Sequence, residues 1–165
     1  ILRYFNPIGA HKTGLLGENP LQKPNNIFPI IINSAYENKK MKVFGKDWPT
    51  HDGTCIRDYI DVVDLADGHV KALSYLFQNQ RKLITLNIGT GKGTSVLELI
   101  KIFQEINNVK VKFVFEKRRE GDACKLVADN TKAKNILNWF PRKSLEEMCI
   151  NGWKWKCLNP NGFIK

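Results

Sequence analysis

The stretch LITLNIGTGKGTSVLELI, residues 83–100, decides the fold class of this chain. The apolar run at 83–89 is typical of a buried strand, and a glycine-rich turn follows it. Ser95 then predicts the N-cap of a helix, and the apolar run at 111–115 predicts the next strand. The order strand, helix, strand predicts an α/β fold that contains a β-α-β unit.

The glycine-rich turn at 89–93 invites a cofactor-binding interpretation. Gly-x-Gly-x-Gly followed by a helix, a strand and Glu116 imitates the dinucleotide fingerprint. However, the third glycine comes one residue early, and Glu116 lies farther on than the usual ~20 residues. A phosphate-binding lysine loop does not fit either, because Lys92 is followed by Gly93 and not by Ser or Thr. We therefore interpret the turn as a structural strand-to-helix connection.

Apolar periodicity and turn residues predict the other elements. In chain order these are a strand at 1–7, a long loop at 8–24, a helix at 27–36, a strand at 42–44, a loop at 45–54, a short strand at 58–60, an amphipathic helix at 62–77, and helices at 131–137 and from 145 onward, with a loosely docked tail at 159–165. We expect an Asn side chain at 25–26 to cap the first helix, and Ser144 with Glu147 to form a capping box. The apolar spacing predicts two helix faces: Val96, Leu99, Ile100 and Phe103 in the helix after Ser95, and Val62, Leu65, Ala66, Val70, Leu73, Leu76 and Phe77 in the helix at 62–77.

Composition limits the possible classes of protein. The 165 residues are 42% hydrophobic and 25% charged, which is typical of one globular domain. No apolar run approaches the ~18 residues of a membrane span, and no charged and apolar leader is visible, so we expect no membrane partner. The four cysteines (Cys55, Cys124, Cys149, Cys157) are scattered. They predict free thiols in a reducing cytoplasm, and neither a metal site nor a disulfide framework.

The net charge of +10 raises the possibility of a nucleic-acid partner. The lysines are dispersed, with dense groups near 39–42, 110–117 and 154–156, and they form no single stripe or tail. We therefore expect no nucleic-acid partner.

Two arginine clusters carry the strongest chemical signal. Arg57 begins the string Arg57-Asp58-Tyr59, and Arg119 lies in the string at 118–122. The planar guanidinium binds phosphate oxygens in a bidentate manner, so two arginines delivered to one cleft could clamp a diphosphate. The alternative is a pair of solvated surface loops, because most exposed arginines bind no ligand.

Several strings together resemble one family, the UDP-glucose 4-epimerases of the extended short-chain dehydrogenase/reductase family. The chain is similar to the C-terminal part of these enzymes. The segments that carry the resemblance are 2–11, 24–26, 52–60, 63–70, 87–91, 118–122 and the Trp-rich last helix with 158–160.

The resemblance implies an α/β enzyme of two domains, in which a Rossmann domain holds NAD and a C-terminal domain with a small mixed sheet holds the UDP-sugar. Residues 1–8 would end the Rossmann domain. Residues 9–165 would form the UDP-sugar domain, with segments that return to the Rossmann domain. The catalytic Tyr and Lys and the NAD fingerprint would lie upstream, so this chain would hold no catalytic residue and would be inactive alone. The family also implies a homodimer formed through the other half.

The resemblance assigns roles residue by residue. Tyr4 and Phe5 would border the nicotinamide of NAD. The expected UDP-sugar contacts are Asn6 near the sugar and phosphates, Asn26 at the diphosphate, Phe44 at the uracil, Arg57 and Arg119 as the diphosphate clamp, Asp122 at the ribose, and Leu126 at the gate of the sugar pocket. A small gate residue goes with N-acetylated sugars and a bulky Tyr excludes them. Leu126 therefore predicts UDP-glucose and UDP-galactose as main substrates, with weak use of N-acetylhexosamine forms.

Two other functions fit the same residues. A nucleotide-sugar dehydratase or decarboxylase would share the arginine clamp and differ in its upstream catalytic groups. A non-catalytic nucleotide-binding module would need the clamp alone.

Overall fold

The computed structural model describes residues 1–20, 22, 24–79 and 83–163. Within these ranges, nine strands and five helices follow one another along the chain. They are β1 Leu2–Tyr4, β2 Asn6–Ile8, α1 Ile27–Tyr36, β3 Lys40–Phe44, β4 Ile56–Arg57, β5 Tyr59–Asp61, α2 Val62–Gln78, β6 Leu86–Ile88, β7 Thr94–Ser95, α3 Val96–Asn107, β8 Lys112–Glu116, β9 Lys125–Leu126, α4 Thr131–Leu137 and α5 Leu145–Leu158.

Most strand pairs are parallel. β1 pairs with β6, β2 with β5, and β3 with β8, all in parallel, whereas β4 lies between antiparallel β7 and parallel β9. The strand expected at 1–7 is interrupted at Phe5, because its two parts pair with different partners. The Phe5 N–H donates to the Ile88 carbonyl at 3.2 Å, and the Asn6 N–H donates to the Asp58 carbonyl at 3.0 Å.

The expected β-α-β unit was wrong in its pairing. β6, α3 and β8 do follow in that order, but β8 pairs with β3, in the register Lys40↔Lys112 to Phe44↔Glu116. β3 stands far from β8 in sequence, and its inward side chains Met41 and Val43 are buried. Local spacing carries no information about such a long-range pairing.

The helices and strands enclose two hydrophobic cores. The first core lies among α1, β3, α3 and α5, and its large buried members include Phe28, Ile31, Leu99, Phe103 and Met148. The second core lies among α2, β6 and α4, and consists of Ile60, Leu65, Ala72, Leu86, Ile88, Ala133, Leu137 and Trp139. The predicted apolar face of α3 is confirmed, since Val96, Leu99, Ile100 and Phe103 all belong to the first core.

Helix α2 is buried through a different face from the predicted one. Of the periodic apolar residues, Leu65 is buried, whereas Val62, Val70, Leu73, Leu76 and Phe77 are exposed. The buried face instead combines Leu65 with Asp64, Gly68 and Ala72. A side chain on Gly68 would lie 3.3 Å from the Trp139 indole nitrogen, so the absence of a side chain permits this close packing. The Asp64 carboxylate accepts hydrogen bonds from the Arg142 and Lys143 N–H groups, both at 2.8 Å.

The helix starts partly follow the predictions. Ser95 with Glu98 and Ser144 with Glu147 form capping boxes. The expected Asn cap of α1 was wrong, because among the described residues the Asn26 side chain makes no capping hydrogen bond.

The extents of the predicted loops and strands also differ in detail. The described part of the loop at 8–24 holds no helix or strand after Ile8, and residues 21 and 23 of that prediction lie outside the described residues. The strand expected at 83–89 is shorter, at Leu86–Ile88. Of the predicted tail, residues 164 and 165 lie outside the described residues, and the Phe163 ring packs on Trp155 with centroids 4.7 Å apart.

Candidate ligand-binding site

A cavity of about 160 Å³ opens among α1, β3, β4 and β5. Its lining residues are Asn6, Asn25, Asn26, Ile27, Ile30, Lys42, Val43, Phe44, Cys55, Arg57, Tyr59, Val96, Arg119 and Asp122. The structure therefore brings together six of the seven residues predicted to contact a UDP-sugar, which come from segments far apart in the sequence. A larger cavity of about 700 Å³ adjoins it and shares Lys42, Phe44 and Arg119.

The pairing of β3 with β8 places Phe44 beside Arg119. Phe44 ends β3 opposite Glu116, and the chain then delivers Arg119 three residues later. The Arg119 guanidinium carbon lies 3.8 Å from the centroid of the Phe44 ring, which is a cation–π contact. A planar aromatic ring and a guanidinium therefore meet at the mouth shared by the two cavities.

Arg57 is held in place by the segment that carries Asp122. Its Nη1 donates to the Ile56 carbonyl at 2.9 Å and to the Ala123 carbonyl at 2.7 Å, and its Nη2 lies 3.3 Å from Asp122 Oδ1. The Arg57 side chain is only 11% exposed. A guanidinium has five N–H donors, so these contacts orient Arg57 and leave donor capacity for an anion in the cavity.

Asp58, between β4 and β5, holds the glycine-rich turn at 89–93 in place. Its carboxylate is fully buried and accepts hydrogen bonds from the Thr90 N–H and hydroxyl, the Gly91 N–H and the Ala128 N–H. These bonds occupy the Thr90 and Gly91 amides of the glycine-rich turn, in agreement with its interpretation as a structural connection.

Several residues that line this cavity were not predicted from the sequence. Tyr59 and Cys55 alternate with Asp58 and Ile56, so strand periodicity from Arg57 could have placed both on the cavity side. Burial raises the pKa of the Cys55 thiol and also that of the Tyr59 hydroxyl. Both side chains are therefore neutral at pH 7, and the cavity carries the charges of its arginines, Lys42 and Asp122.

Three predicted residues lie outside this cavity. Leu126 stands opposite Arg57 in the β4–β9 register, but its side chain is 49% exposed and does not line the cavity. Tyr4 is exposed, with its ring centroid 6.2 Å from that of His69, and Phe5 is half-buried. None of these three side chains therefore lines the cavity.

Residues 1–20, 22, 24–79 and 83–163 contain no group of three or more His, Cys, Asp or Glu side chains arranged to hold a metal ion. None of the helices in the same ranges combines the length and the apolar character needed to cross a bilayer.

UDP-glucose 4-epimerases from several organisms are similar to this chain over almost its whole length. The chain is 47% identical to the UDP-glucose 4-epimerase of Bacillus subtilis over 164 residues, which are 99% of this chain and 48% of that protein. It is 44% identical to the UDP-glucose 4-epimerase of Drosophila melanogaster, covering 98% of this chain and 47% of the relative. The chain therefore spans about half the length of the relatives it matches. The resemblance noted in the sequence is confirmed.

Solved structures share the fold. The UDP-glucose 4-epimerase of Bifidobacterium longum, crystallised with NAD⁺ and UDP, superposes with a TM-score of 0.93 at 41% identity, over 98% of this chain and 48% of that one. The enzyme from Stenotrophomonas maltophila, with bound NAD and formylated UDP-arabinopyranose, gives a TM-score of 0.92 at 48% identity, over 96% of this chain and 47% of that one. The expected α/β class with small mixed sheets is confirmed.

One family model covers most of the sequence. The model described as GDP-mannose 4,6 dehydratase matches residues 1–151. The chain, which is similar to UDP-glucose 4-epimerases, thus belongs to the GDP-mannose 4,6 dehydratase family.

Proposed function

We propose that this chain is the UDP-sugar-binding part of an NAD-dependent epimerase that interconverts UDP-glucose and UDP-galactose. The observation that carries the proposal is the single cavity lined by Asn6, Asn26, Phe44, Arg57, Arg119 and Asp122. The activity of the named relatives supports the reaction, and the solved complexes support UDP and NAD as ligands of those proteins.

In this proposal, the cavity anchors the nucleotide while the sugar reacts elsewhere. Arg57 and Arg119 clamp the diphosphate, because a guanidinium pairs bidentately with phosphate oxygens. Asp122 accepts from the ribose hydroxyls, and the Phe44 ring lies against the uracil. Asn6 and Asn26 donate amide hydrogen bonds near the phosphates. Firm anchoring of the UDP lets the sugar turn over in the site, so that remote binding energy serves the chemistry.

The reaction also needs groups that this chain does not supply. In this proposal, bound NAD would supply the hydride acceptor and donor for C4 of the sugar. Tyr4 and Phe5 border the nicotinamide in this proposal, and the exposed side chain of Tyr4 leaves it free for such a contact. The remaining NAD contacts and the catalytic Tyr and Lys lie in the other part of the longer enzyme, so the chain alone is inactive. Galactose metabolism in the cytoplasm is the proposed setting.

We propose that residues 1–8 complete the Rossmann domain, and that residues 9–165 form the UDP-sugar domain with segments that return to the Rossmann domain. The exposed apolar row on α2 supports this division, because the other part of a longer enzyme would cover Val70, Leu73 and Phe77. The homodimer, in this proposal, forms through that other part.

We propose that Leu126 in β9, which stands opposite Arg57 of β4, gates the sugar pocket. In the full-length enzyme, Leu126→Gly should raise activity on UDP-N-acetylglucosamine relative to UDP-glucose, because it opens space for the acetyl group. An unchanged activity ratio would remove Leu126 from this role.

The first test is calorimetric titration of the chain with UDP. Arg57→Ala and Arg119→Ala should each weaken binding about 10-fold or more, because each removes a charge-assisted contact. Arg118→Ala is the matched control: Arg118 pairs with Asp47 at 2.9 Å, stacks on Trp48 and does not line the cavity. Equal loss in all three variants would contradict the clamp. Absence of UDP binding by the folded wild-type chain would contradict the proposal that this part binds UDP by itself.

A nucleotide-sugar dehydratase is the second candidate, because the matching family model carries that description. Product analysis of the full-length enzyme with UDP-glucose separates the two. Formation of UDP-galactose supports the epimerase, whereas a 4-keto-6-deoxy product supports the dehydratase. A decarboxylase or a non-catalytic binding module would give neither product.

A further inference from the structure

Two of the four cysteines are brought together beside the candidate site. Cys55 precedes β4 and Cys124 precedes β9, and these two strands pair in parallel in the register Ile56↔Lys125. The Ile56 N–H donates to the Cys124 carbonyl at 2.8 Å, so the pairing reaches back to the two cysteines. Both thiols are free. Continued by one residue, the register therefore sets Cys55 opposite Cys124, although the two lie far apart in the sequence.

The side chains of the two cysteines point to the same side of the paired strands. Ile56 and Lys125 both approach Gly93, where an added Cβ would meet Ile56 Cγ2 at 2.6 Å and Lys125 Cε at 3.9 Å. Because successive side chains of a strand alternate, the residue before each of the two points to the other side. That side is the cavity side, since Cys55 lines the cavity. Paired strands lie about 4.8 Å apart, which falls within the Cα separations of disulfides, about 4.4–6.8 Å.

The two thiols differ in their access to solvent. Cys55 is 8% exposed, whereas Cys124 is half-buried. Burial raises the pKa of the Cys55 thiol, and a charged Cys124 contributes in the same direction, which requires the two sulfurs to be near each other. A thiolate is the attacking species in disulfide exchange, and access limits its rate. We therefore expect the more accessible Cys124 to react with an oxidant first, and Cys55 to complete the reaction.

We propose that Cys55 and Cys124 form a redox pair, which a low-molecular-weight disulfide oxidises to an intramolecular disulfide beside the cavity. The Cys124 thiolate attacks the small disulfide, forms a mixed disulfide with one half of it and releases the other half as a thiolate. The Cys55 thiolate then attacks the Cys124 sulfur and releases the second half. In sum, the two cysteines lose two electrons and two protons, and the small disulfide becomes two thiols.

The position of the bond gives it a structural effect at the cavity. It ties the segment that carries Asp122 to the strand that carries Arg57, and these two side chains already lie 3.3 Å apart. Oxidation would make this ion-paired contact part of a covalently closed loop. The pair does not depend on which ligand the cavity takes.

Peptide mapping tests the bond directly. The folded chain is incubated with oxidised glutathione, its remaining thiols are alkylated, and trypsin digestion without reductant is followed by mass spectrometry. Cleavage after Lys and Arg places the two cysteines in the separate peptides 47–57 and 120–125. We expect these two peptides to be joined, and the joined species to disappear on reduction. Cys157→Ser is the matched control: this cysteine in α5 is exposed, and its variant should keep the joined peptides.

Variants of the pair separate the two steps of the reaction. Cys124→Ser should abolish the joined peptides. Cys55→Ala should stop at the first step, with one glutathione bound to Cys124. The melting temperature of the oxidised wild-type chain should exceed that of the reduced chain by about 5 °C or more, because the bond closes a long loop in the unfolded state. Cys124→Ser should show no such shift.

Three results would overturn the redox pair. The first is a wild-type chain that carries glutathione adducts without joined peptides, or that does not react at Cys124. The second is a set of joined peptides that contain Cys149 or Cys157 in place of this pair. The third is the expected joined species with a lower melting temperature, since the bond would then distort the pairing of β4 with β9.

Discussion

The first core is enclosed by elements of this chain, whereas α2 covers the second core with one face and turns an apolar row outward. Phe103 in the first core is completely buried, whereas Phe77 on α2 is 80% exposed. Both residues belong to helices with clear apolar periodicity. Helical periodicity therefore identifies an apolar face without identifying what covers it.

The largest expected difference in the free energy of unfolding is between variants of two phenylalanines, one in the first core and one on α2. Phe103→Ala should lower the free energy of unfolding by about 3–5 kcal/mol, because it empties a packed site in the first core. Phe77→Ala should change it by no more than about 0.5 kcal/mol in this chain, because the ring is mostly in water. Urea denaturation of both variants measures the difference. Similar losses in the two variants would mean that α2 is covered within this chain.

The next effect concerns Asp58, which connects the two regions. Asp58→Asn should lower the free energy of unfolding by about 2–4 kcal/mol, because an amide NH₂ would face donors that the carboxylate now accepts. Asp67→Asn on α2 is the control, since Asp67 is half-exposed and its carboxylate has no such set of hydrogen bonds within the described part of the chain. Urea denaturation and protection of the Gly91 amide against hydrogen exchange report the loss. A stable variant with a protected Gly91 amide would show that the turn does not depend on this charge.

Substitutions at the N-caps of helices in the first region should have a smaller effect on the free energy of unfolding. Ser144→Ala should cost about 1 kcal/mol, because it removes a capping box from α5. Asn26→Ala should cost distinctly less in the free chain, since its side chain does not cap α1. Thermal unfolding of the two variants measures the difference. The reverse order of stability would contradict the observed caps.

The smallest effect is a dependence on pH at Asp61, between the two regions. Burial raises the pKa of Asp61, and its Oδ2 has no partner among the described residues. A carboxyl with a raised folded pKa favours folding when it is protonated, and this stabilisation is lost as pH rises through the folded pKa. Asp61→Asn should therefore stabilise the chain near pH 7, with a gain that shrinks as the pH falls toward the ordinary carboxyl range. The amide oxygen can still accept from the Val63 N–H that now bonds Oδ1 at 2.8 Å.

Chemical denaturation at pH 7 and at about pH 4 measures the change. Asp129→Asn is the control with the opposite sign, because hydrogen bonds to Thr131 lower the pKa of exposed Asp129. A gain in the Asp61 variant that grows toward low pH would contradict the assignment.

The sequence by itself determined the elements whose signals are local. The N-caps at Ser95 and Ser144, the bounds of α4 and the buried face of α3 all follow from residues within one or two helical turns. The resemblance also identified six residues that prove to line one cavity. Short-range hydrogen bonds and helical periodicity act over neighbouring residues, so their pattern is readable from the chain alone.

Tertiary structure alone decided the remaining features. The pairing of β3 with β8, the exposed row on α2 and the burial of Asp58 and Tyr59 depend on segments far apart in the sequence. Each is set by which surfaces meet, and a polar residue such as Asp58 can be buried only because distant donors from Thr90, Gly91 and Ala128 converge on it. Such convergence has no local signature, since the energy comes from contacts that exist only once the chain is folded.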